Sequence, residues 1–147
     1  MRFIIAALLA MAFVLPAAAR AEVEFLFAEF EEAPFLNKMT TDDGITVYAG
    51  REPQLTNADI ASAVAQDNPA AGMSEVRIIF TKEGAERLKD FTASCIGKPI
   101  AIVADGKLIA APVVQEAITG GEVVITGVFT STAAHDLAAS IAPPPNP

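Results

Sequence analysis

Two apolar runs, residues 99–103 and 107–110, flank the dipeptide Asp105-Gly106. An Asp-Gly pair between hydrophobic runs is the strongest short-range indication of a two-residue β-hairpin. This feature constrains the fold more than any other, because it predicts two adjacent antiparallel strands. Gly120-Gly121 predicts a further turn, and it precedes a predicted strand rather than a helix, which excludes a phosphate-binding loop there.

Further strands are indicated by alternating or continuous apolar residues. The Ala-rich segment 60–66 is ambiguous, because its composition favours a helix whereas its alternation fits a strand with one small-residue face; we predict a strand. Turn-forming residues predict loops at 34–44 and 67–72. The full set of predicted strands is 23–28, 45–48, 60–66, 76–80, 99–103, 107–110 and 123–128.

Two amphipathic helices complete the predicted secondary structure. The first runs from residue 82 to about residue 96, with Thr81 as its N-cap and Gly97 at its left-handed end. The second begins after Thr130 or Ser131. Strands, a helix, a hairpin, a strand and a helix in this order predict an α+β fold. We expect a two-layer sandwich in which an antiparallel or mixed sheet carries both helices on one face.

The N-terminal segment has the pattern of a secretory signal peptide. Arg2 precedes an apolar run over residues 3–15, which is shorter than the roughly 20 residues that span a bilayer. Ala19 and Ala21 supply the small residues that signal peptidase accepts, so we predict cleavage after Ala21. An uncleaved membrane anchor is the alternative interpretation. The predicted location is periplasmic or secreted.

Charge and residue spacing exclude several functions. Ten Lys and Arg against 18 Asp and Glu give a formal charge of −8 without clustered cations, which excludes a nucleic-acid partner. Cys95 lies on the apolar stripe of the first helix, so we predict a buried, inert thiol rather than a reactive one. Ser131 and His135 are spaced as a nucleophile and base on one helix face, but no glycine elbow accompanies them. We predict a solvated first turn, no enzyme, no metal site and no cofactor.

Four phenylalanines lie between residues 25 and 35, and two interpretations are open. In the first, they add a strand or a lid to the core. In the second, they line an apolar groove that takes an extended peptide by edge pairing. The phenylalanines are Phe25, Phe27, Phe30 and Phe35, and the acidic residues that would rim the groove are Glu22, Glu24, Glu29, Glu31 and Glu32.

Short motifs follow one another through residues 55–142. They are Leu55-Thr56-Asn57-Ala58-Asp59-Ile60, Phe80-Thr81-Lys82-Glu83-Gly84-Ala85, Phe91-Thr92, residues 97–112, Ile118-Thr119-Gly120-Gly121, Ile125-Thr126-Gly127, Phe129-Thr130 and Ala134-His135-Asp136-Leu137-Ala138. In this order they resemble the head subdomain of the first periplasmic domain of the SecD/SecDF protein-export family. The resulting predicted organisation is a signal peptide (1–21), N-terminal strands with an acidic loop (22–54), a head-like domain (55–142) and a Pro-rich tail (143–147).

This resemblance implies a role in protein export. In that family, SecD and SecF form a membrane component of the Sec translocon whose periplasmic parts engage the emerging polypeptide, driven by the proton gradient. Ala104 and Ala133 depart from the family's usual Leu and acidic residue. Because the sequence has no transmembrane bundle, and hence no intramembrane carboxylate for proton coupling, we expect a stand-alone head that binds but does not pull.

The expected function is therefore an exported, non-enzymatic protein-binding module that is accessory to export. Its expected partner is an unfolded polypeptide or another envelope protein, including components of the Sec translocon. The alternative is a small-ligand-binding or inhibitor-like envelope protein that uses the same fold, since one fold hosts unrelated functions.

Overall fold

The structure, a computed structural model, describes residues 21–126 and 130–142. Within these two stretches the chain forms nine strands, a short 3₁₀ helix and two α-helices. The strands are β1 (Val23–Glu29), β2 (Asn37–Thr40), β3 (Thr46–Ala49), β4 (Leu55–Thr56), β5 (Ile60–Asn68), β6 (Met73–Phe80), β7 (Ile100–Ala104), β8 (Lys107–Ala110) and β9 (Glu122–Thr126). The 3₁₀ helix is Asn57–Asp59, and the α-helices are α1 (Lys82–Ala93) and α2 (Ser131–Ile141).

The strands form two sheets, and all the strand pairs in the described residues are antiparallel. The larger sheet has the order β2-β3-β1-β7-β8, with β4 also paired to β1, and the smaller sheet has the order β5-β6-β9. Helix α2 packs against β5 and β6, whereas α1 packs against β4, β6 and the 3₁₀ helix. The predicted α+β class is confirmed. The division into two sheets goes beyond that prediction, because hydrophobic periodicity reports which face of a strand is buried and not which strand it pairs with.

Strands β1 and β7 lie side by side and separate two hydrophobic cores. Phe25 and Ile102 point into the larger core, which also takes residues from β4, β5, β6, β9 and both helices. Leu26 and Ala101 point to the opposite face, into a smaller core shared with β3 and β8. Because successive side chains of a strand point to opposite faces, each of these two strands contributes to both cores.

The N-terminal end of helix α1 follows the sequence prediction, whereas its C-terminal end does not. The Thr81 hydroxyl accepts a hydrogen bond from the Gly84 amide at 3.0 Å, as an N-cap side chain does. Gly97 has φ +83, and its amide donates to the Val114 carbonyl at 2.7 Å. The helix ends at Ala93, earlier than predicted, and Cys95 beyond it is still buried. Thr130 is the N-cap of α2.

The β7–β8 hairpin is also confirmed. Asp105 has φ 49 and Gly106 has φ 78, so both turn residues have the positive φ that a type I′ turn requires. Gly120 and Gly121 precede β9 rather than a helix, and the Gly121 carbonyl accepts the Phe80 amide at 2.9 Å. The two predicted turns therefore serve the fold.

Two predicted loops are wrong in part. Residues 37–40 form β2, which pairs with β3, although residues 34–44 were expected to be a loop. Asp67 and Asn68 continue β5 opposite Ser74 and Met73, so the predicted loop at 67–72 is shorter than expected. Most of these residues are exposed and lack an apolar alternation, and their strand conformation comes from the partner strand. The predicted end of the last strand at residue 128, residues 1–20 of the signal peptide and the tail at 143–147 lie outside the described residues.

Candidate functional site

The structure separates the four phenylalanines of the N-terminal segment. Phe25 is fully buried, and its ring packs edge-on against Phe80 with centroids 5.6 Å apart. Phe27 is 42% exposed, Phe30 is 53% exposed and Phe35 is 87% exposed. Phe25 thus fits the core interpretation, whereas the other three present apolar surface to solvent. We call Phe27, Phe30 and Phe35 the phenylalanine face.

Phe27 is half-buried because the larger core ends beside it. Its side chain points to the same face of β1 as Phe25, and its ring packs edge-on against Phe91 of α1, with centroids 4.8 Å apart. Phe35 lies in the connection to β2 and has φ 69, a left-handed conformation that is uncommon for a bulky residue. Phe35 thus combines a left-handed backbone conformation with a side chain that is almost entirely exposed to solvent.

A cavity of about 410 Å³ lies beside this face. Its walls come from β1, from the connection between β1 and β2, and from the segment that follows α1. The structure places Phe27 in the wall, while Phe30 and Phe35 belong to the adjoining connection without lining the cavity. The lining residues are Phe27, Ala28, Glu29, Ala33, Pro34, Leu36, Ser94, Cys95 and Lys98.

The charged residues of this region are mainly acidic. Glu29 and Lys98 form an ion pair across the cavity wall, with Oε1 and Nζ 2.6 Å apart. The hydrogen bond and charge of Glu29 raise the pKa of Lys98. Glu31 and Glu32 are exposed. Lys98 is thus accompanied by three glutamates, Glu29, Glu31 and Glu32, which together give these four residues a net negative charge.

Cys95 lines the same cavity but is almost wholly buried. Its thiol donates a hydrogen bond to the Phe91 carbonyl, with Sγ and O 3.0 Å apart. Burial raises the pKa of the Cys95 thiol. Since the thiolate is the reactive form, this residue has the properties of a structural cysteine, as the sequence predicts.

A second, larger cavity of about 700 Å³ was not anticipated from the sequence. It lies between β8 and β9, which are the edge strands of the two sheets. Ile109, Val124 and Leu137 are among its apolar lining residues, and the Lys107–Asp42 ion pair stands at its side with Nζ and Oδ2 2.7 Å apart. Two exposed apolar residues, Ile45 and Val124, line this groove.

Ser131 and His135 stand near Asp67 at the first turn of α2. The Asp67 carboxylate accepts the Ser74 hydroxyl at 2.8 Å, and its Oδ2 lies 3.8 Å from His135 Nε2. The hydroxyls of Ser74 and Ser131, together with His135, lower the pKa of Asp67. His135 and Asp67 are both about half exposed. The group joins α2 to the β5–β6 hairpin at the surface.

Two further observations concern metals and membranes. In residues 21–126 and 130–142, no group of three or more His, Cys, Asp or Glu side chains is arranged to hold a metal ion. No helix in the part of the chain that the structure describes has the length and apolar character needed to cross a membrane.

The fold and these surfaces define a small α+β domain with two antiparallel sheets and two exposed apolar concavities. A family model described as the SecDF P1 head subdomain matches residues 33–142. The chain belongs to this family, and the resemblance seen in its motifs is confirmed.

Similar proteins agree with this assignment. The chain is 43% identical over 86 residues to the protein translocase subunit SecDF of Thermus thermophilus, which covers 58% of this chain and 12% of the relative. It is also 43% identical over 88 residues to the protein translocase subunit SecD of Rhodobacter capsulatus, which covers 58% of this chain and 15% of the relative. The chain thus spans a small part of the length of these relatives.

Solved structures show the same fold. A crystal structure of SecDF in a super-membrane-facing form superposes with a TM-score of 0.68 at 30% identity, covering 84% of this chain and 19% of that chain. A second structure, of SecDF as a membrane component that enhances protein export, gives a TM-score of 0.62 at 29% identity, covering 84% of this chain and 61% of that chain.

Proposed function

We propose that the protein is an exported, non-enzymatic module that binds unfolded polypeptides and is accessory to protein export. Its membership of the SecDF P1 head family supports the link to export. The observation that carries the binding role is the phenylalanine face, in which Phe27 lines the cavity of about 410 Å³ and Phe30 and Phe35 are exposed in the adjoining connection. Large exposed apolar side chains next to a concave surface are typical of protein-interaction sites.

The proposed occupant is an extended chain with apolar side chains next to basic ones. Apolar side chains would contact Phe27, Phe30 and Phe35 and enter the cavity of about 410 Å³. Exposed Glu31 and Glu32 are placed to attract neighbouring Lys or Arg side chains of the occupant. Glu29 is paired with Lys98, so it contributes less attraction than its two neighbours. The other proposed partner of this surface is a component of the Sec translocon.

The proposed location is the periplasm. The SecDF P1 head family corresponds to the first periplasmic domain that the motifs of this chain resemble, and the N-terminal residues have the pattern of a signal peptide. Removal of this segment takes away Arg2 and makes the net charge more negative than −8. A more acidic surface favours the capture of basic segments at low ionic strength.

A photo-crosslinker in place of Phe30 tests this proposal in the native envelope. We expect crosslinks to Sec components or to many unrelated exported chains, and we expect a purified, permanently unfolded precursor to compete for them. The same crosslinker in place of Ala70, which is exposed in the β5–β6 turn, serves as the matched control and should give few crosslinks. A single defined partner outside the export machinery, or equal crosslinking at both positions, would contradict the proposal.

The groove between β8 and β9 supports a second candidate, a small apolar ligand. Its volume of about 700 Å³ lies within the range of roughly 300–1,000 Å³ of ordinary ligand pockets. Ionic strength separates the two candidates. Binding of a basic unfolded chain should weaken as salt is raised, whereas binding of an uncharged apolar ligand in the groove should change little.

A further inference from the structure

Ala21, the first residue that the structure describes, is fully integrated into the fold. Its amide donates to the Ser140 carbonyl at 2.9 Å, and its carbonyl accepts from Asn57 Nδ2, also at 2.9 Å. Its methyl group is buried, with 8% of the residue exposed. Every group of this alanine therefore has a structural partner.

Asn57 connects the two ends of the described chain. Its Oδ1 accepts the Val23 amide at 2.7 Å, and its Nδ2 donates to the Ile141 carbonyl at 3.2 Å as well as to Ala21. The amide orientation is unambiguous, because one side faces an N–H donor and the other faces two carbonyl acceptors. We call Asn57 and its contacts to Ala21, Val23 and Ile141 the Asn57 clasp.

The sequence before the clasp holds two positions that suit signal peptidase. Small residues two apart precede both the Ala19–Arg20 bond and the Ala21–Glu22 bond: Ala17 with Ala19 in the first case, and Ala19 with Ala21 in the second. Both bonds suit signal peptidase, and the second is the bond predicted from the sequence. The structure distinguishes the two products, since only cleavage at the first bond leaves Ala21 on the folded domain.

Cleavage after Ala21 would remove part of the clasp. The Ser140 carbonyl would lose its donor, Asn57 Nδ2 would lose one of two acceptors, and a buried methyl group would be gone. The new ammonium of Glu22 would have a partner, because the Glu22 amide already lies 2.8 Å from Asp105 Oδ1. That contact is exposed, and exposed ion pairs contribute little to stability, so it does not replace what is lost.

We propose that the signal peptide is removed after Ala19, two residues before the bond predicted from sequence alone, so that the mature chain begins at Arg20. This inference rests on the proposed export of the protein. The mature chain then keeps the whole Asn57 clasp, with a single additional residue before it.

Intact-mass measurement and N-terminal sequencing of the protein, expressed from the full chain and recovered from the periplasm, test the proposal. We expect a chain that starts at Arg20. A start at Glu22 would overturn this inference and leave the proposed export intact. A start at Met1 would overturn the proposed signal peptide itself.

The variant Ala17→Leu adds an independent measurement. It places a bulky residue at the third position before the Ala19–Arg20 bond and leaves the small pair Ala19 and Ala21 unchanged. We expect the wild-type product to disappear, leaving uncleaved precursor or a chain that starts at Glu22. A product starting at Glu22 should have a Tm lower than the wild type by about 4 °C or more, because the contacts of Ala21 are lost from a domain of this size. Unchanged processing, or an equal Tm for the two products, would contradict the inference.

Discussion

At the scale of single residues, the tightest constraint lies where helix α1 starts. A Cβ atom added at Gly84 would lie 2.3 Å from the Asp59 carbonyl oxygen and 2.9 Å from its Cβ. Asp59 cannot move aside, because its Oδ1 lies 2.7 Å from Arg87 Nη1 and its carbonyl accepts the Thr81 amide at 2.8 Å. Position 84 therefore requires glycine because there is no space for a Cβ atom, and not because its φ is positive.

We predict that Gly84→Ala destabilises the domain by about 3 kcal/mol and lowers Tm by about 10 °C, because backbone must shift to admit the methyl group. Thermal unfolding followed by circular dichroism measures this effect. Gly120→Ala is the matched control, since nothing lies within 4 Å of its added Cβ. A loss of stability in Gly84→Ala that is as small as the loss in Gly120→Ala would contradict this prediction and show that the first turn of α1 can shift at little cost.

Phe25 and Phe30 should respond to truncation in opposite ways. Phe25→Ala leaves a cavity in the larger core, and we expect a loss of about 3–5 kcal/mol. Phe30→Ala removes an exposed ring, and we expect a change in stability within about 0.5 kcal/mol together with loss of polypeptide binding. Chemical denaturation and a binding assay with the unfolded precursor separate the two effects. A stable Phe30→Ala variant that still binds fully would remove the phenylalanine face from the proposed site.

At the scale of elements, local chemistry predicts the start of α1, the positive φ of Gly97 and the hairpin, but not the residue at which α1 ends. Thr81, Gly97 and Asp105-Gly106 specify backbone geometry through their own side chains or through the lack of one, so the sequence is sufficient to place them. Strand β2 is different, because its pattern is mostly exposed and its conformation depends on β3. The alternation of β1 places Phe27 on the same face as Phe25. Whether Phe27 is buried there depends on the position of α1, with which it is in contact, and no local sequence pattern gives that position.

The contact between α2 and the β5–β6 hairpin should weaken in acid. The pKa of Asp67 is below its ordinary value of 3.8, chiefly through the Ser74 hydroxyl, with further contributions from Ser131 and His135. A carboxyl group with a lowered pKa stabilises the fold above its ordinary pKa, and this contribution is lost as the pH falls through the lowered value. We predict that Asp67→Asn reduces the dependence of Tm on pH in this acidic range.

Asp136→Asn is the control for that measurement, because it removes the same charge from an exposed position on α2. Unfolding curves recorded from neutral to acidic pH should converge for the wild type and Asp67→Asn at the lowest pH. Curves that differ by the same amount at every pH would mean that the contact stabilises the fold without titrating.

At the scale of the whole molecule, β1 and β7 join the two cores into one cooperative unit. Both strands place side chains on each side of the larger sheet, so neither core can open without exposing the other. Such sharing favours a single unfolding transition over stepwise loss of the two sheets. At the groove between the edge strands β8 and β9, the two sheets meet without strand pairing.

The single tyrosine of the chain provides a test of this cooperativity. Tyr48 lies on β3 between Val47 and Ala49, which point into the smaller core, and the chain contains no tryptophan. We predict that tyrosine fluorescence, which reports β3, and far-ultraviolet circular dichroism, which reports both sheets and both helices, give coincident transitions in urea. A fluorescence transition at lower urea concentration would show that β2 and β3 unfold before the rest.

The Asn57 clasp also bears on how such a domain can be carried within larger proteins. Because it holds Ala21 and Ile141 to one side chain, the domain leaves and rejoins a polypeptide at a single place on its surface. A domain with adjacent ends can interrupt a loop of a host protein without pushing the two sides of that loop apart, and it tolerates circular permutation for the same reason. In the two relatives named above, the matched segment makes up 12% and 15% of the chain, so it is embedded in a much longer polypeptide.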